Sequence, residues 1–244
     1  MALLSRYALA VIFVLATSST AIAQVDDVLK AHFQAIGGLD RLSEITTVKR
    51  LGTSTLSGFL GSFEGSTEEI AVIGKQAYTK NELGPILSNT TVVNNSTGWK
   101  NTVTEGLVNL EGPELELQKA LFMYLSPLHA VYDLYGKSAF VMGADKTIDG
   151  KDSVTLILGG GASPVSLHID KVSHHLIAVG LTTVDPAMGE INIVIGYGDY
   201  TEHAGVMLPN TTSLNVANGM IATKTTYQNT EINIEVDEAI FEKP

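Results

Sequence analysis

The chain has no cysteine among its 244 residues. A disulfide framework, a thiolate nucleophile, a cysteine-ligated metal and a cysteine-linked lipid anchor are therefore all excluded. Aromatic residues are scarce at 7%, too few to ring a membrane barrel with two interfacial girdles. Basic residues are outnumbered, with 15 Lys and Arg against 26 Asp and Glu and a formal net charge of −11. Such a balance opposes nucleic acid and anionic lipid surfaces, and no basic patch is interleaved with aromatics, so nucleic acid is excluded as a partner. Beyond the N-terminus no run approaches the roughly 18 apolar residues that a helical membrane span needs, so no integral span is expected.

The one conspicuous apolar run lies at the start. Met1 to Arg6 is a short region with one positive charge, Tyr7 to Ala16 is apolar, and Ala21-Ile22-Ala23 is a small-x-small cleavage site before Gln24. This pattern predicts a cleaved signal peptide over residues 1–23 and a single domain over 24–244. An N-terminal anchor is the alternative, and the run is short for it. The expected address is the periplasm of a Gram-negative-type bacterium.

From Lys151 to Val236 the chain is a succession of strand-sized segments. Val165, Leu167 and Ile169 alternate with Ser166, His168 and Asp170; Ile191, Ile193, Ile195 and Tyr197 alternate with more polar neighbours. A period of two gives each strand one apolar and one polar face. Gly159 to Gly161, Ser173-His174-His175, Asp185-Pro186 and Asn218-Gly219 mark the turns. The intervals leave no room for crossover helices, so the sheet is predicted antiparallel. A last strand is expected around Ile232, Ile234 and Val236, with Asp237 capping a turn that carries Ile240 and Phe241.

Earlier in the chain strands are expected over Val48–Gly58, Ser62–Ile73, Gln76–Lys80 and Leu87–Asn94, with glycines at 52, 58, 61, 65 and 74 marking bulges and turns. Two helices interrupt them. Val25, Val28, Leu29, His32, Phe33 and Ile36 form one stripe of an N-terminal helix that Gly37-Gly38 ends. Pro113 to Ser126 reads as a second helix, with Leu117, Leu121, Tyr124 and Leu125 on one face, Phe122 and Met123 widening it, and Pro127 ending it. Trp99, the only tryptophan, belongs either to the core or to a concave face. The fold class is mainly β (α+β): one curved antiparallel sheet, an incomplete β-barrel whose concave side is covered by these two helices.

Constellations for catalysis are missing. The six histidines show no His-x3-His zinc spacing, and His174-His175 falls in a turn where neighbours point apart. His32 lies in an apolar stripe and reads as core. No Gly-x-Ser-x-Gly elbow is present, and Gly159 to Gly161 lacks the Lys-Ser/Thr of a phosphate loop. No cofactor is expected, and the chain reads as no enzyme.

Ala35-Ile36-Gly37-Gly38-Leu39 after a signal sequence, Gly98-Trp99 in mid-chain, Asp149-Gly150-Lys151-Asp152, Leu167-His168-Ile169-Asp170, Asp199-Tyr200 followed by Gly205-Val206-Met207-Leu208-Pro209, and the ending Phe241-Glu242-Lys243-Pro244 together form a recognisable order. They resemble the outer-membrane lipoprotein-sorting family with the LolA/LolB-like fold, closer to its uncharacterised members than to true LolA. The resemblance implies a half-barrel whose cavity shields acyl chains, with the mid-chain helix as a lid. It places no binding residue on this chain; Arg50 lies in the region of the carriers' functional arginine. From local pattern alone, Trp99, Leu117, Leu121, Phe122 and Leu125 are the expected cavity and lid residues.

The leading expectation is a periplasmic binding or carrier protein for a lipid, a lipoprotein acyl chain or another apolar ligand. Its rivals are a non-enzymatic module that binds an envelope protein without any ligand cavity, and a hydrolase with dispersed catalytic residues.

Overall fold

The structure is a computed structural model that describes residues 23–58, 61–84, 88–159, 164–185 and 189–244. Nearly all of the expected signal peptide lies outside the described residues, as do Gly160, Gly161, Pro186 and the predicted strand start at Leu87.

Among the described residues fourteen strands form one antiparallel sheet built from two meanders. The first contains β1 (Thr47–Gly58), β2 (Gly61–Val72), β3 (Gln76–Glu82), β4 (Asn89–Asn94), β5 (Gly98–Thr102) and β6 (Gly106–Leu110). The second contains β7 (Phe140–Met142), β8 (Lys146–Ile148), β9 (Lys151–Leu158), β10 (Val165–Asp170), β11 (Leu176–Asp185), β12 (Gly189–His203), β13 (Val206–Val216) and β14 (Ile221–Ile232). The meanders join at a seam where β1 pairs with β14. The path runs from β6 at one edge to β7 at the other, and the edges do not pair, so the barrel stays open. The expected single meander over 151–236 is thus one half of a sheet that the N-terminal strands complete.

Turn chemistry fixes the register. Asp149 and Gly150 both take positive φ (47° and 79°) between β8 and β9, the two-residue hairpin whose twist matches the strands. At Gly52 the β1–β14 ladder shifts by one residue, a bulge at one of the expected glycines. The last strand ends at Ile232, earlier than expected. Ile234, Val236 and the capped turn Glu238–Phe241 instead cross the outside of the sheet; Asp237 accepts from the Ala239 N–H at 3.0 Å.

Between β6 and β7 the chain crosses the concave side as two helices. The sequence predicted one, over Pro113–Ser126. The structure has α3 (Gly112–Phe122) and a separate helix, α4 (Pro127–Tyr135). Pro127 starts a helix rather than ending one. Ser126 is its N-cap, its hydroxyl accepting from the His129 N–H at 3.1 Å, and proline fits the first turn because no hydrogen bond is lost there. Between the helices the Met123 carbonyl accepts from Gly74 N–H at 2.8 Å, tying the break to the β2–β3 turn.

The N-terminal helix α1 (residues 23–35) buries Val25, Leu29 and Phe33. It ends where Gly38 N–H reaches the Phe33 carbonyl at 2.7 Å. At Gly37 (φ 116°) a Cβ would stand 2.5 Å from the Gly205 carbonyl oxygen, so only glycine lets the helix end this close to the β12–β13 turn. Ile36 just beyond the helix, Leu42 in the short α2 (Leu39–Ser43), and Leu128 of α4 join these residues against Leu156, Leu167, Ile169, Leu176, Val179, Val206 and Leu208 of the second meander. A smaller core holds α3 and the break that follows it to the first meander, through Leu115 of the helix and Met123 and Tyr124 of the break against Ala77, Val93 and Leu110.

Candidate functional site

The two cores leave a gap. Between α3 and the middle of the sheet lies a cavity of about 480 Å³, within the range of small-molecule sites. Gln118, Leu121 and Phe122 of α3, then Leu125 and Ser126, form its roof. Leu56, Leu83, Ile195 and Leu214 supply apolar wall, and Tyr197, Thr212 and Pro209 come from the second meander.

The floor is polar. Strand register sets Ser54 of β1, Thr67 of β2, Asn81 of β3, Asn89 of β4 and Thr225 of β14 on the concave face. Their side chains form a continuous hydrogen-bonded row. Ser54 Oγ meets Thr225 Oγ1 at 2.6 Å and also bonds Thr67; Thr67 donates to Asn81 Oδ1 at 2.9 Å, and Asn81 Nδ2 donates to Asn89 Oδ1 at 3.2 Å.

At the deep end sits a charged group. The Arg50 guanidinium donates to Glu69 Oε2 at 2.7 Å and lies 4.3 Å from the Tyr227 ring centre. Tyr227 OH donates to Glu69 Oε1 at 2.7 Å. Both ionic side chains are largely covered, 16% and 12% exposed. Burial alone would lower the Arg50 guanidinium, but Glu69 and Tyr227 together outweigh it and hold it above its ordinary value. Burial pushes the Tyr227 and Tyr197 phenols up, so both stay neutral donors. At the mouth, Lys100 is paired with Glu105 at 3.2 Å and Glu114 at 3.1 Å.

The expected site residues divide. Leu121, Phe122 and Leu125 stand together on the roof. Leu117, on the same helix, is 37% exposed and lies outside the cavity lining. Trp99 lies on the opposite, convex face. Alternation on β5 turns Gly98 inward, where a Cβ would stand 2.8 Å from Leu115 of α3, and so turns Trp99 outward. There it joins Ile70, Tyr78 and Val92 in a cross-strand row that Ile240 and Phe241 of the C-terminal tail cover. Lys243 fastens that tail to Asn109 at 2.8 Å.

The polar row was missed because each member reads locally as an ordinary solvated strand residue. One signal was available: Gly58 and Gly61 flank a hairpin, and counting back from it sets Arg50 opposite Glu69.

His32 is buried, its Nδ1–H donating to the His174 carbonyl at 2.8 Å. Burial, reinforced by His175, His129 and His174, pushes it down to about 4 against that bond. His168 lies between Thr155 and Ser166, each at 3.1 Å, and bonds to no carboxylate among the described residues. Among the described residues no group of three or more His, Asp or Glu is placed to hold a metal.

Such an open antiparallel half-barrel, crossed by helices on its concave side, is a LolA-like fold. Solved structures with this fold cover most of the chain at low identity. An outer-membrane lipoprotein-sorting protein domain from Vibrio parahaemolyticus matches with a TM-score of 0.57 and 10% identity, over 91% of this chain and 96% of that one. A DUF1329 family protein from Desulfovibrio piger gives 0.59 and 10%, over 89% and 97%. A LolA superfamily protein from Nitrosomonas europaea gives 0.54 and 11%, over 84% and 96%. Neither a family model nor a curated protein matches the sequence.

Proposed function

We propose that this chain is a periplasmic carrier or binding protein that holds a lipid or similar ligand beneath α3, as a single half-barrel domain delivered by a cleaved signal peptide. The observation that carries the reading is the cavity of about 480 Å³ between sheet and helix, roofed by Leu121, Phe122 and Leu125. Removing an acyl chain from water stabilises its complex by about 25 cal/mol per Å² of apolar surface covered, and this roof offers such cover. A likeness in fold to a lipoprotein-sorting protein domain supports the same reading. Among the described residues no helix is long and apolar enough to cross a membrane. An interaction module without a ligand would fill this space with its own side chains, and the open cavity favours the carrier over it. The hydrolase reading gains no support from the histidines described above.

The test is native mass spectrometry of protein purified without detergent, followed by organic extraction. A stoichiometric added mass that extracts as lipid is expected. An apo mass that persists after incubation with envelope lipids would remove the carrier reading.

A further inference from the structure

The convex face of the first meander contains an apolar row that its own C-terminal tail covers poorly. Ile70, Tyr78, Val92 and Trp99 stand side by side across β2, β3, β4 and β5. Ile70, Val92 and Trp99 are buried, at 8%, 2% and 8% exposure. An antiparallel sheet whose other face packs inward ordinarily turns polar side chains outward, so this row needs its cover.

The tail that shields it is fastened firmly at one end only. Asn233, at φ 57°, gives its N–H to the Thr47 carbonyl and its Nδ2 to the Glu44 carbonyl, while its Oδ1 accepts from the Thr46 N–H and hydroxyl. Thr47 Oγ1 adds a last bond to the Ile234 carbonyl at 2.8 Å. Past that point, among the described residues, the main chain bonds only to itself, from Ile240 N–H to Asp237 and from Glu242 N–H to Ala239. Two exposed side-chain contacts, Gln76 with Glu238 and Lys243 with Asn109, tie the rest to the sheet. No residue from Asn233 to Pro244 is buried. A segment with so few contacts opens far more readily than the sheet beneath it.

The cover also fits badly. Clefts of about 240 and 300 Å³ lie along the tail, the first beside Ile70, Tyr78 and Val236, the second beside Val92, Trp99 and Phe241. Trp99 Nε1–H is buried without a hydrogen-bond partner among the described residues. A buried donor left unpaired is a standing cost that an acceptor placed there would remove. The tail thus shows which chemistry seats on the row, apolar side chains on an extended and then turned backbone. Trp99 shows what a better occupant would add.

We propose that the convex row is a docking site for a peptide segment of a partner protein, and that the tail from Glu235 onward is a displaceable strap over it. The segment brings apolar side chains to Ile70, Tyr78 and Val92 and turns a carbonyl or carboxylate oxygen to the Trp99 N–H. The site lies on the opposite side of the sheet from the cavity and does not depend on the carrier reading. A strap open in only a fraction of molecules weakens the observed affinity by that fraction, so the tail sets how readily the partner binds.

The probe is a labelled synthetic peptide of residues 234–244, read by fluorescence anisotropy against the full chain. Ile240→Asp with Phe241→Asp releases the strap, and this variant should bind the peptide at least about tenfold more tightly than the unaltered chain does. A second variant guards against lost folding. With no other cysteine in the chain, Gln76→Cys and Glu238→Cys can be joined by a short bismaleimide, and joining them should abolish the peptide binding that the unjoined protein shows. Peptides selected on the released variant from a displayed random library should lose roughly fivefold in affinity on Trp99→Phe, the effect of one hydrogen bond. The tail peptide, which leaves that N–H unpaired, should lose nothing. Equal binding to released, unaltered and joined protein would overturn the proposal, as would binding to none of them. Selected peptides indifferent to Trp99→Phe would overturn the acceptor. A dimer of the unaltered chain that falls apart on the tail substitutions would overturn the partner in favour of strap exchange between two copies.

Discussion

The two halves of the concave surface share one sheet, one alternation and one curvature, yet they end differently. On the second meander, inward positions are Leu156, Leu167, Ile169, Leu176 and Val179, and α1 closes over them as core. On the first, inward positions in the middle of the strands are Ser54, Thr67, Thr79, Asn81 and Asn89, and α3 leaves space above them. Facing inward on a curved sheet therefore does not make a residue core. What decides is whether the covering helix brings enough apolar surface to fill the space. α1 presents a full stripe, whereas α3, among its described side chains, seats only Leu115 deeply and exposes Leu117.

The contrast can be tested from its strongest side downward. Leu156→Ala on the closed half should cost about 3–4 kcal/mol in chemical denaturation, the price of a fully enclosed cavity, with no selective effect on ligand binding. Acid should be nearly as damaging to that half. His32 falls from its ordinary 6.5 to about 4 in the folded chain, so the unfolded chain binds the extra proton between those values. Stability is therefore full above pH 6.5 and is lost as pH falls towards 4, by on the order of 3 kcal/mol. His129, His168 and His175 are also lowered by burial and act in the same direction. His32→Phe should flatten part of this dependence in thermal melts across pH 4–7.

On the open half the effects move from stability to binding. Leu121→Asn should weaken lipid retention about tenfold while costing no more than about 1 kcal/mol of stability. Leu125 is 8% exposed and belongs to the closed core as well, so Leu125→Asn should lose both. If the two variants behave alike, the boundary between the halves is drawn in the wrong place. Leu117→Asn should change stability by less than about 0.5 kcal/mol and leave retention unaltered. Trp99, on the far side of the sheet, should keep its emission maximum when ligand binds; its spectrum should respond instead to removal of the tail from Glu238 onward.

Much of this architecture was readable residue by residue. The period of two in 151–197, the Asp149-Gly150 hairpin and the Gly37-Gly38 stop are local signals, and local physics generates them. The site was less legible because it is assembled across strands. Ser54, Thr67, Asn81 and Asn89 become a row only after three hairpins set their register. The face of Trp99 depended on a helix, α3, pressing on Gly98 from the other side. The break at 123–126 escaped notice because Leu121, Phe122, Met123, Tyr124 and Leu125 suit a helix, while the Ser126-Pro127 pair equally suits the start of a new one. Length of an apolar pattern and capping chemistry gave opposite answers there, and capping prevailed.

The seam between β1 and β14 also governs how the molecule comes into being. Gln228 reaches Thr53 across it, a separation of 175 residues. Each meander can zip from its own hairpins, but this pairing must wait until both β1 and β14, at opposite ends of the sheet-forming chain, are present together. Pairings of such long range are slow to find, and until they form both strands are unprotected edges open to other chains. Assembly of this protein is therefore expected to be limited by a late, single closure, during which its most aggregation-prone surfaces are the two that end up farthest from any edge.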